Sequence, residues 1–284
     1  KRMRQAEAAG TTLHEPFARI CPVMGCDTVV GTAADLAAHT KSLSTTDVLH
    51  RTYVPVAVPN FGSTCSASAA LSCLASVVED PDDVLEPELR KCLAANPSLQ
   101  DMATLFTMSG LQNHPASPAD CVEALCRTFP ALGGKLLSSV SVECTDCEMV
   151  TKVVSAVQRV AGGDVSRFLA GSMRSTGYAT PNCRPGLQHH VKAGITEVKE
   201  LVALEAIEGY KFVNLPRTVQ SVTAKSRFTL CGAIVYVTST HLEACWHNPD
   251  GWRRSVMGGH VIGPAPKPDE VMIAFYRVAV WEPA

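Results

Sequence analysis

The sequence Val58-Pro-Asn-Phe-Gly-Ser-Thr-Cys65-Ser-Ala-Ser-Ala-Ala-Leu-Ser-Cys-Leu74 joins an extended segment, a tight turn and a run rich in alanine and leucine. The Ser-Thr pair before Cys65 offers an N-cap, and no helix breaker follows until Pro81. The pattern therefore predicts a helix with Cys65 in its first turn. The positive end of a helix dipole lowers the pKa of a thiol there and favours the nucleophilic thiolate. Asn60, just upstream, can direct its side-chain amide at a developing oxyanion.

Cys65 has two interpretations. Most free cysteines are buried and inert, and we assign Cys73 and Cys92 to that class. For Cys65 the preceding turn favours a nucleophile, which requires a histidine as its base. A histidine elsewhere in the chain therefore decides between the two.

The segment from Asn60 to Cys65, with the helix that follows, resembles the cysteine box of the ubiquitin-specific proteases, usually Asn-x-Gly-x-Thr-Cys. The sequence departs from that box at Ser66, where the family has an aromatic residue, and at Ser68 and Ser72, where asparagine and glutamine are usual. The resemblance implies a papain-like α+β fold with a helical thumb, a β palm and short zinc-bound fingers. It also implies that Cys65 is the nucleophile and that Asn60 stabilises the oxyanion.

The second half of the chain is rich in predicted strands, at residues 200–207, 212–215, 228–237 and 271–280. The third of them leads to His241-Leu-Glu-Ala, which resembles the family's histidine box. His241 occupies the position of the catalytic histidine, and Leu242 stands where the family has tyrosine. Trp252 matches the tryptophan downstream and is counted with the substrate-binding residues. The resemblance makes His241 the general base.

The family's third catalytic residue, an Asp or Asn that orients the imidazole, has no counterpart here. Its positions fall at Val256 and Met257, whose side chains are not strong hydrogen-bond acceptors. Asp250, Asn248 or a backbone carbonyl remains as a substitute, and a Cys–His dyad is the other alternative. Loss of the orienting group lowers activity without necessarily abolishing it.

Residues 118–129 predict an amphipathic helix that resembles the family's Asp-Ala-x-Glu-Phe-Leu helix. Asp120 and Glu123 fall at its acidic positions, and Ala124 replaces the phenylalanine. In the family these acids line the channel for the basic C-terminal tail of ubiquitin. The resemblance therefore predicts a preference for ubiquitin, whose tail carries arginines, over SUMO. The alternative is a solvated acidic helix face.

A Cys-x2-Cys pair, Cys144 and Cys147, lies among valine-rich sequences typical of strands. The candidate for the other half of a zinc site is Cys183 with His189 or His190, which gives three sulfurs and one nitrogen. The resemblance places such a zinc in the fingers. A thioredoxin-like redox pair needs a βαβ context that this sequence lacks.

The first 50 residues predict a separate unit. The spacing Cys21-x4-Cys26-x12-His39 is typical of a zinc finger with two cysteines on a hairpin and a histidine on the next helix. His50 is the candidate fourth ligand; the alternative is two incidental cysteines and a surface histidine. The predicted helix carries no Arg or Lys to read bases. A structural or protein-binding finger is therefore favoured over nucleic-acid binding.

Composition limits the remaining classes. At 284 residues and 46% hydrophobic content, the chain can bury one sizeable core, which we divide into a finger and linker at 1–50 and a protease-like domain at 51–284. The net charge of −2 gives no nucleic-acid signature, and neither a membrane-spanning run nor a signal peptide is evident. Cysteines spaced as metal ligands predict a reducing, intracellular compartment, cytoplasm or nucleus. The start Lys-Arg-Met-Arg predicts that the chain is part of a longer polypeptide.

The predicted function is thiol-dependent hydrolysis of the peptide or isopeptide bond after the C-terminal glycine of ubiquitin or a ubiquitin-like modifier, with zinc in structural roles alone. The alternative is a pseudoprotease that binds a ubiquitin-like protein, because the third catalytic residue and the histidine-box tyrosine are replaced. A finger ahead of a protease also suits a viral or mobile-element polyprotein. A nucleic-acid-targeting module led by the finger is a third hypothesis.

Overall fold

The computed structural model describes residues 19–20, 29–30, 38–39, 65–78, 86–93, 99–111, 117–145, 148, 150–175, 191–206, 211–238, 241–256 and 259–281. The helices in these ranges are α1 (Cys65–Val77), α2 (Pro87–Leu93), α3 (Leu99–Met108), α4 (Pro118–Thr128), α5 (Pro130–Leu136) and α6 (Val165–Leu169). The strands are β1 (Arg19–Ile20), β2 (Val29–Val30), β3 (Ser138–Cys144), β4 (Val150–Ser155), β5 (Val157–Val160), β6 (Met173–Ser175), β7 (Val191–Glu197), β8 (Leu201–Ala206), β9 (Thr218–Ser221), β10 (Ser226–Thr238), β11 (His241–Asn248), β12 (Gly251–Val256), β13 (Gly259–Ile262) and β14 (Val271–Val280).

Eight strands form a central sheet in the order β13-β12-β11-β10-β14-β8-β5, with β9 paired to the first half of β10. The strands from β13 to β8 are antiparallel neighbours, whereas β5 lies parallel to β8. A second sheet has the order β4-β3-β7-β6.

The central sheet separates two hydrophobic cores. Helices α1 to α5 cover one face, and Leu71, Leu125 and Phe275 are buried there. The second sheet and α6 cover the other face, where Phe168 and Tyr276 are buried. Residues 273 to 276 of β14 alternate between the two cores, as residues do in strands buried on both faces. The predicted mixed α and β fold is confirmed at this level.

Helix α1 begins at Cys65, as the sequence predicts. Its alanine and leucine residues fill the contact with the central sheet, and Ala70, Leu71 and Leu74 have no exposed surface. At the other end, the Arg277 guanidinium on β14 donates a hydrogen bond of 3.0 Å to the main-chain oxygen of Val77. This bond satisfies a carbonyl that the end of a helix leaves without an intrahelical partner.

The strand predicted at residues 212–215 is wrong. Phe212 is buried, but the next residues use their polar groups locally. Asn214 forms an isolated bridge with Asp164, donates to its carboxylate at 2.8 Å, and accepts a hydrogen bond from the Ser166 amide at 3.0 Å. The segment therefore holds the start of α6, and the strand begins only at β9.

Near the N-terminus, β1 and β2 pair antiparallel, and residues 38 and 39 are helical. This order agrees with the predicted finger, and His39 is partly exposed. Cys21, Cys26 and His50 lie outside the described residues. The finger and the domain boundary at residue 50 thus stay predictions.

Among the described helices, none combines the length and the apolar character needed to cross a membrane.

Candidate active site

The helix that begins at Cys65 lies along the strand that begins at His241. The Cys73 Sγ is 3.8 Å from the main-chain oxygens of both Ala233 and Cys245. One turn further along α1, Val77 lies against Gly232, whose partner on β11 is Trp246. Helix and strand therefore run in the same direction.

This register allows the starts of α1 and β11 to be compared. Cys65 begins α1 about 12 Å before Cys73, at 1.5 Å per helical residue. His241 begins β11 about 14 Å before Cys245, at 3.4 Å per strand residue. The start of the helix and the start of the strand therefore lie at the same end of the layer.

The His241 ring is partly exposed and faces a carboxylate. Its Nε2 lies 3.7 Å from Oε1 of Glu243, two residues on, and the His241 side chain is 30% exposed. Glu243 is buried, and its Oε2 accepts a hydrogen bond of 2.7 Å from Nε of Arg254 on β12. Because Nε2 of His241 is turned to a carboxylate, the other ring nitrogen, Nδ1, is available for a second partner.

The substitutes considered for the missing third residue are far from His241. Asn248 ends β11, and Asp250 lies in the turn beyond it, where it forms an ion pair with Arg253. Seven strand residues, about 24 Å, separate His241 from Asn248. Neither can orient the imidazole. Sequence reasoning missed Glu243, although the two-residue period of a strand places it on the same face as His241.

Asp120 and Glu123 lie on α4, as predicted, and both line one groove of about 350 Å³. Asp120 is exposed and also completes a capping box, because its Oδ2 accepts from the amide and hydroxyl of Ser117 at 3.2 and 2.9 Å. Glu123 is half-buried, and its Oε1 accepts from the Val157 amide at 2.9 Å and from the Ser155 hydroxyl. Glu123 thus fixes the start of β5 besides facing the groove.

The same groove carries further charge. Arg159 on β5 and Glu205 on β8 line it, and Nε of Arg159 lies 3.4 Å from the Glu205 carboxylate. Its walls are otherwise largely apolar, with Val140, Val142 and Val153 from the second sheet.

Trp252 lies elsewhere. It is partly buried on β12, and its ring meets that of His247 edge to face at a centroid distance of 5.4 Å. It packs on the core beneath the second sheet. The structure does not bring Trp252 to the groove that holds Asp120 and Glu123.

The cysteines whose side chains the structure describes, from Cys73 to Cys245, are buried, and none of them is in a disulfide. Cys144 ends β3 with no exposed surface, opposite Val191, which begins β7 two residues after His189. In the sequence, Val191 follows the predicted ligands Cys183 and His189. Cys147, Cys183 and His189 lie outside the described residues. Within the part of the chain that the structure covers, no three potential metal ligands cluster.

No protein-family model matches the chain, and no curated protein does. Solved structures do. The SAGA Ubp8/Sgf11/Sus1/Sgf73 DUB module bound to ubiquitin aldehyde matches with a TM-score of 0.53 and 14% identity, over 90% of this chain and 78% of that chain. The module with an Ubp8 variant bound to monoubiquitin matches at 0.51 and 14%, over 90% and 78%. A yeast module with an Sgf73 mutant matches at 0.52 and 14%, over 90% and 77%. The chain therefore has a fold like that of the ubiquitin-specific proteases.

Proposed function

We propose that the chain is a cysteine hydrolase that cleaves the peptide or isopeptide bond after the C-terminal glycine of ubiquitin or a ubiquitin-like modifier. The observation that supports the proposal is the parallel register of α1 and β11, because the helix that begins at Cys65 and the strand that begins at His241 start at the same end of their layer. The similar solved structures, some of them bound to ubiquitin, support it.

In this mechanism the Cys65 thiolate attacks the carbonyl carbon of the scissile bond. His241 takes the thiol proton and gives it to the leaving amine, which leaves a thioester on Cys65. A water molecule, deprotonated by His241, then hydrolyses the thioester and releases the carboxylate. Asn60 and backbone amides at the helix start stabilise the oxyanion of each tetrahedral intermediate.

The groove beside α4 is the proposed channel for the modifier's tail. Asp120 is its exposed acid and is suited to pair with an arginine of the tail. Because Glu123 already accepts two hydrogen bonds at the start of β5, we assign it chiefly to shaping the channel.

Zinc is proposed as a structural ion. The buried thiol of Cys144, at the level where β3 meets β7, fits a ligand set with Cys147, Cys183 and His189. A second set is Cys21, Cys26, His39 and His50. Zinc at these sites would cross-link chain segments and take no part in the cleavage. The thiols from Cys73 to Cys245 whose side chains the structure describes are buried and outside disulfides, which supports a reducing, intracellular location.

The test is a ubiquitin probe with a C-terminal vinyl electrophile. We expect the native chain to form a covalent adduct, and both Cys65→Ala and His241→Ala to lose it. Cys73→Ala is the matched control, because Cys73 is buried in the same helix and should leave labelling intact. Binding of ubiquitin without any adduct supports the pseudoprotease instead.

A further inference from the structure

We infer that Glu243 is the positioning residue of His241 and replaces the orienting residue that the chain lacks on β12. This inference rests on the proposed function. It predicts a third member of the site that comes from the same strand as the histidine.

The register of the sheet shows how the replacement works. Cys245 pairs with Arg254 and Trp246 with Arg253 across β11 and β12. Continuing this antiparallel register places Val256, at the position expected for the orienting residue, opposite Glu243. The carboxylate of Glu243 is therefore on β11, the strand next to β12, at the same level of the sheet as the position expected for the orienting residue.

The carboxylate is held in one orientation. Glu243 is 7% exposed, and its Oε2 is fixed by Arg254, which leaves Oε1 on the His241 side. A buried carboxylate is retained only where charged or hydrogen-bonding groups compensate for lost water. The 3.7 Å separation from Nε2 exceeds a hydrogen bond, and such contacts commonly shorten when substrate binds.

The consequence for His241 is a defined ring orientation. With Nε2 turned to Glu243, Nδ1 is available to take the thiol proton, and a flip of the ring loses the carboxylate contact. The same carboxylate stabilises the imidazolium that forms when the proton is transferred.

Two other described charges lie near this pair. Arg254 is on β12, and Glu270, just before β14, interacts electrostatically with Arg254. On β10, the residues opposite Glu243 and His241 are Val235 and Thr238, which carry no charge. Glu243 is therefore the described carboxylate directly placed to act on the ring.

The first test is Glu243→Gln, which keeps the shape of the side chain and removes its charge. We expect kcat to fall by about 10- to 1,000-fold with little change in KM. The pH at which Cys65 becomes reactive towards iodoacetamide should rise. Glu243→Asp should recover part of the loss.

A merely structural role for Glu243 makes a different prediction. If the carboxylate serves only to neutralise Arg254, the double variant Glu243→Gln/Arg254→Gln should restore activity. If Glu243 orients His241, the double variant should stay as slow as Glu243→Gln. Restoration would overturn the inference.

A second measurement does not depend on the variants' stability or on activity. The ¹⁵N spectrum of the histidine rings in the intact chain should show His241 with its proton on Nε2 when the ring is neutral. A proton on Nδ1 overturns the inference. If the native chain forms no Cys65-dependent adduct with the ubiquitin probe, the proposed function is overturned instead. If the native chain is labelled and Glu243→Gln is labelled equally fast, the inference alone is overturned.

Discussion

The Cys73 thiol and the main-chain oxygen of Cys245 lie 3.8 Å apart, and this contact joins the helix of the predicted nucleophile to the strand of the predicted base. Gly232 makes the approach possible. A Cβ at this position would lie 2.6 Å from Cγ1 of Val77 and 2.9 Å from Sγ of Cys73. Both are short side chains on α1 that cannot swing aside.

Gly232→Ala should therefore push α1 from the sheet. We expect the free energy of unfolding to fall by about 1–3 kcal/mol, a typical cost of overpacking, and labelling by the ubiquitin probe to slow. Urea denaturation and labelling rates measure the two effects. Gly134→Ala is the control, because no atom lies within 4 Å of its Cβ and the helix α5 should gain stability. Equal stability of Gly232→Ala and the native chain would contradict the packing.

Iodoacetamide at neutral pH should distinguish Cys65 from the buried thiols. Burial, with the charge of Asp101, raises the pKa of Cys92 to about 11. Burial, with the charge of Glu123, raises that of Cys126 to about 12, and burial raises that of Cys245 to about 12. A raised thiol pKa keeps the unreactive protonated form, so these three should react only in strongly alkaline solution.

Peptide mapping after brief alkylation measures the order of reaction. Cys65 should be modified first, and denatured protein should lose the distinction. Reaction of Cys92 or Cys126 as fast as Cys65 would show that the helix start does not activate its thiol.

Asp120→Asn should weaken productive binding of ubiquitin while keeping most of the capping box. An Arg–carboxylate pair contributes about 1.5–3 kcal/mol, so kcat/KM should fall roughly tenfold or more. Ser117→Ala is the matched control, since it breaks the same capping box but leaves the charge in the groove. Fluorogenic ubiquitin and SUMO substrates should show a preference for ubiquitin in the native chain. Equal effects of the two variants would assign Asp120 to capping, and a preference for SUMO would reject an arginine-binding channel.

Metal analysis should find two zinc ions per chain. Chelation should lower the melting temperature, because structural zinc contributes to folding. Cys144→Ser should lose one ion, whereas Cys92→Ser, an equally buried substitution outside both predicted sites, should keep two. If the native chain contains one zinc ion, one of the two predicted sites is wrong. If it contains none, both predictions are wrong.

The sequence was sufficient to predict those elements that depend on local patterns. The helix start at Cys65, the helix of Asp120 and the strand at 271–280 follow from capping and from apolar periodicity, and the structure has all three. The segment 212–215 misled because three of its four residues are apolar, whereas Asn214 supplies side-chain hydrogen bonds that local patterns do not reveal.

The third member of the site required the structure. The resemblance places the acceptor downstream of Trp252, at the end of β12, where this chain has Val256. Only the register of β11 and β12, continued beyond Cys245 and Arg254, brings Val256 opposite Glu243, and only packing shows that Arg254 holds the carboxylate. Pairing across strands is set by contacts distant in sequence, which a single sequence does not record.

The strands of the two sheets are interleaved in the sequence. β5 belongs to the central sheet, but in sequence order it comes between β4 and β6, which belong to the second sheet. Neither sheet can form from one continuous stretch, and β10 and β14, at the middle of the central sheet, come late in the sequence. A growing chain on the ribosome thus carries Cys65 long before it carries the strand of His241. The protease that we propose stays inert as a nascent chain until β14 has been synthesised, and its cleavage activity begins only when the long-range strand pairing is complete.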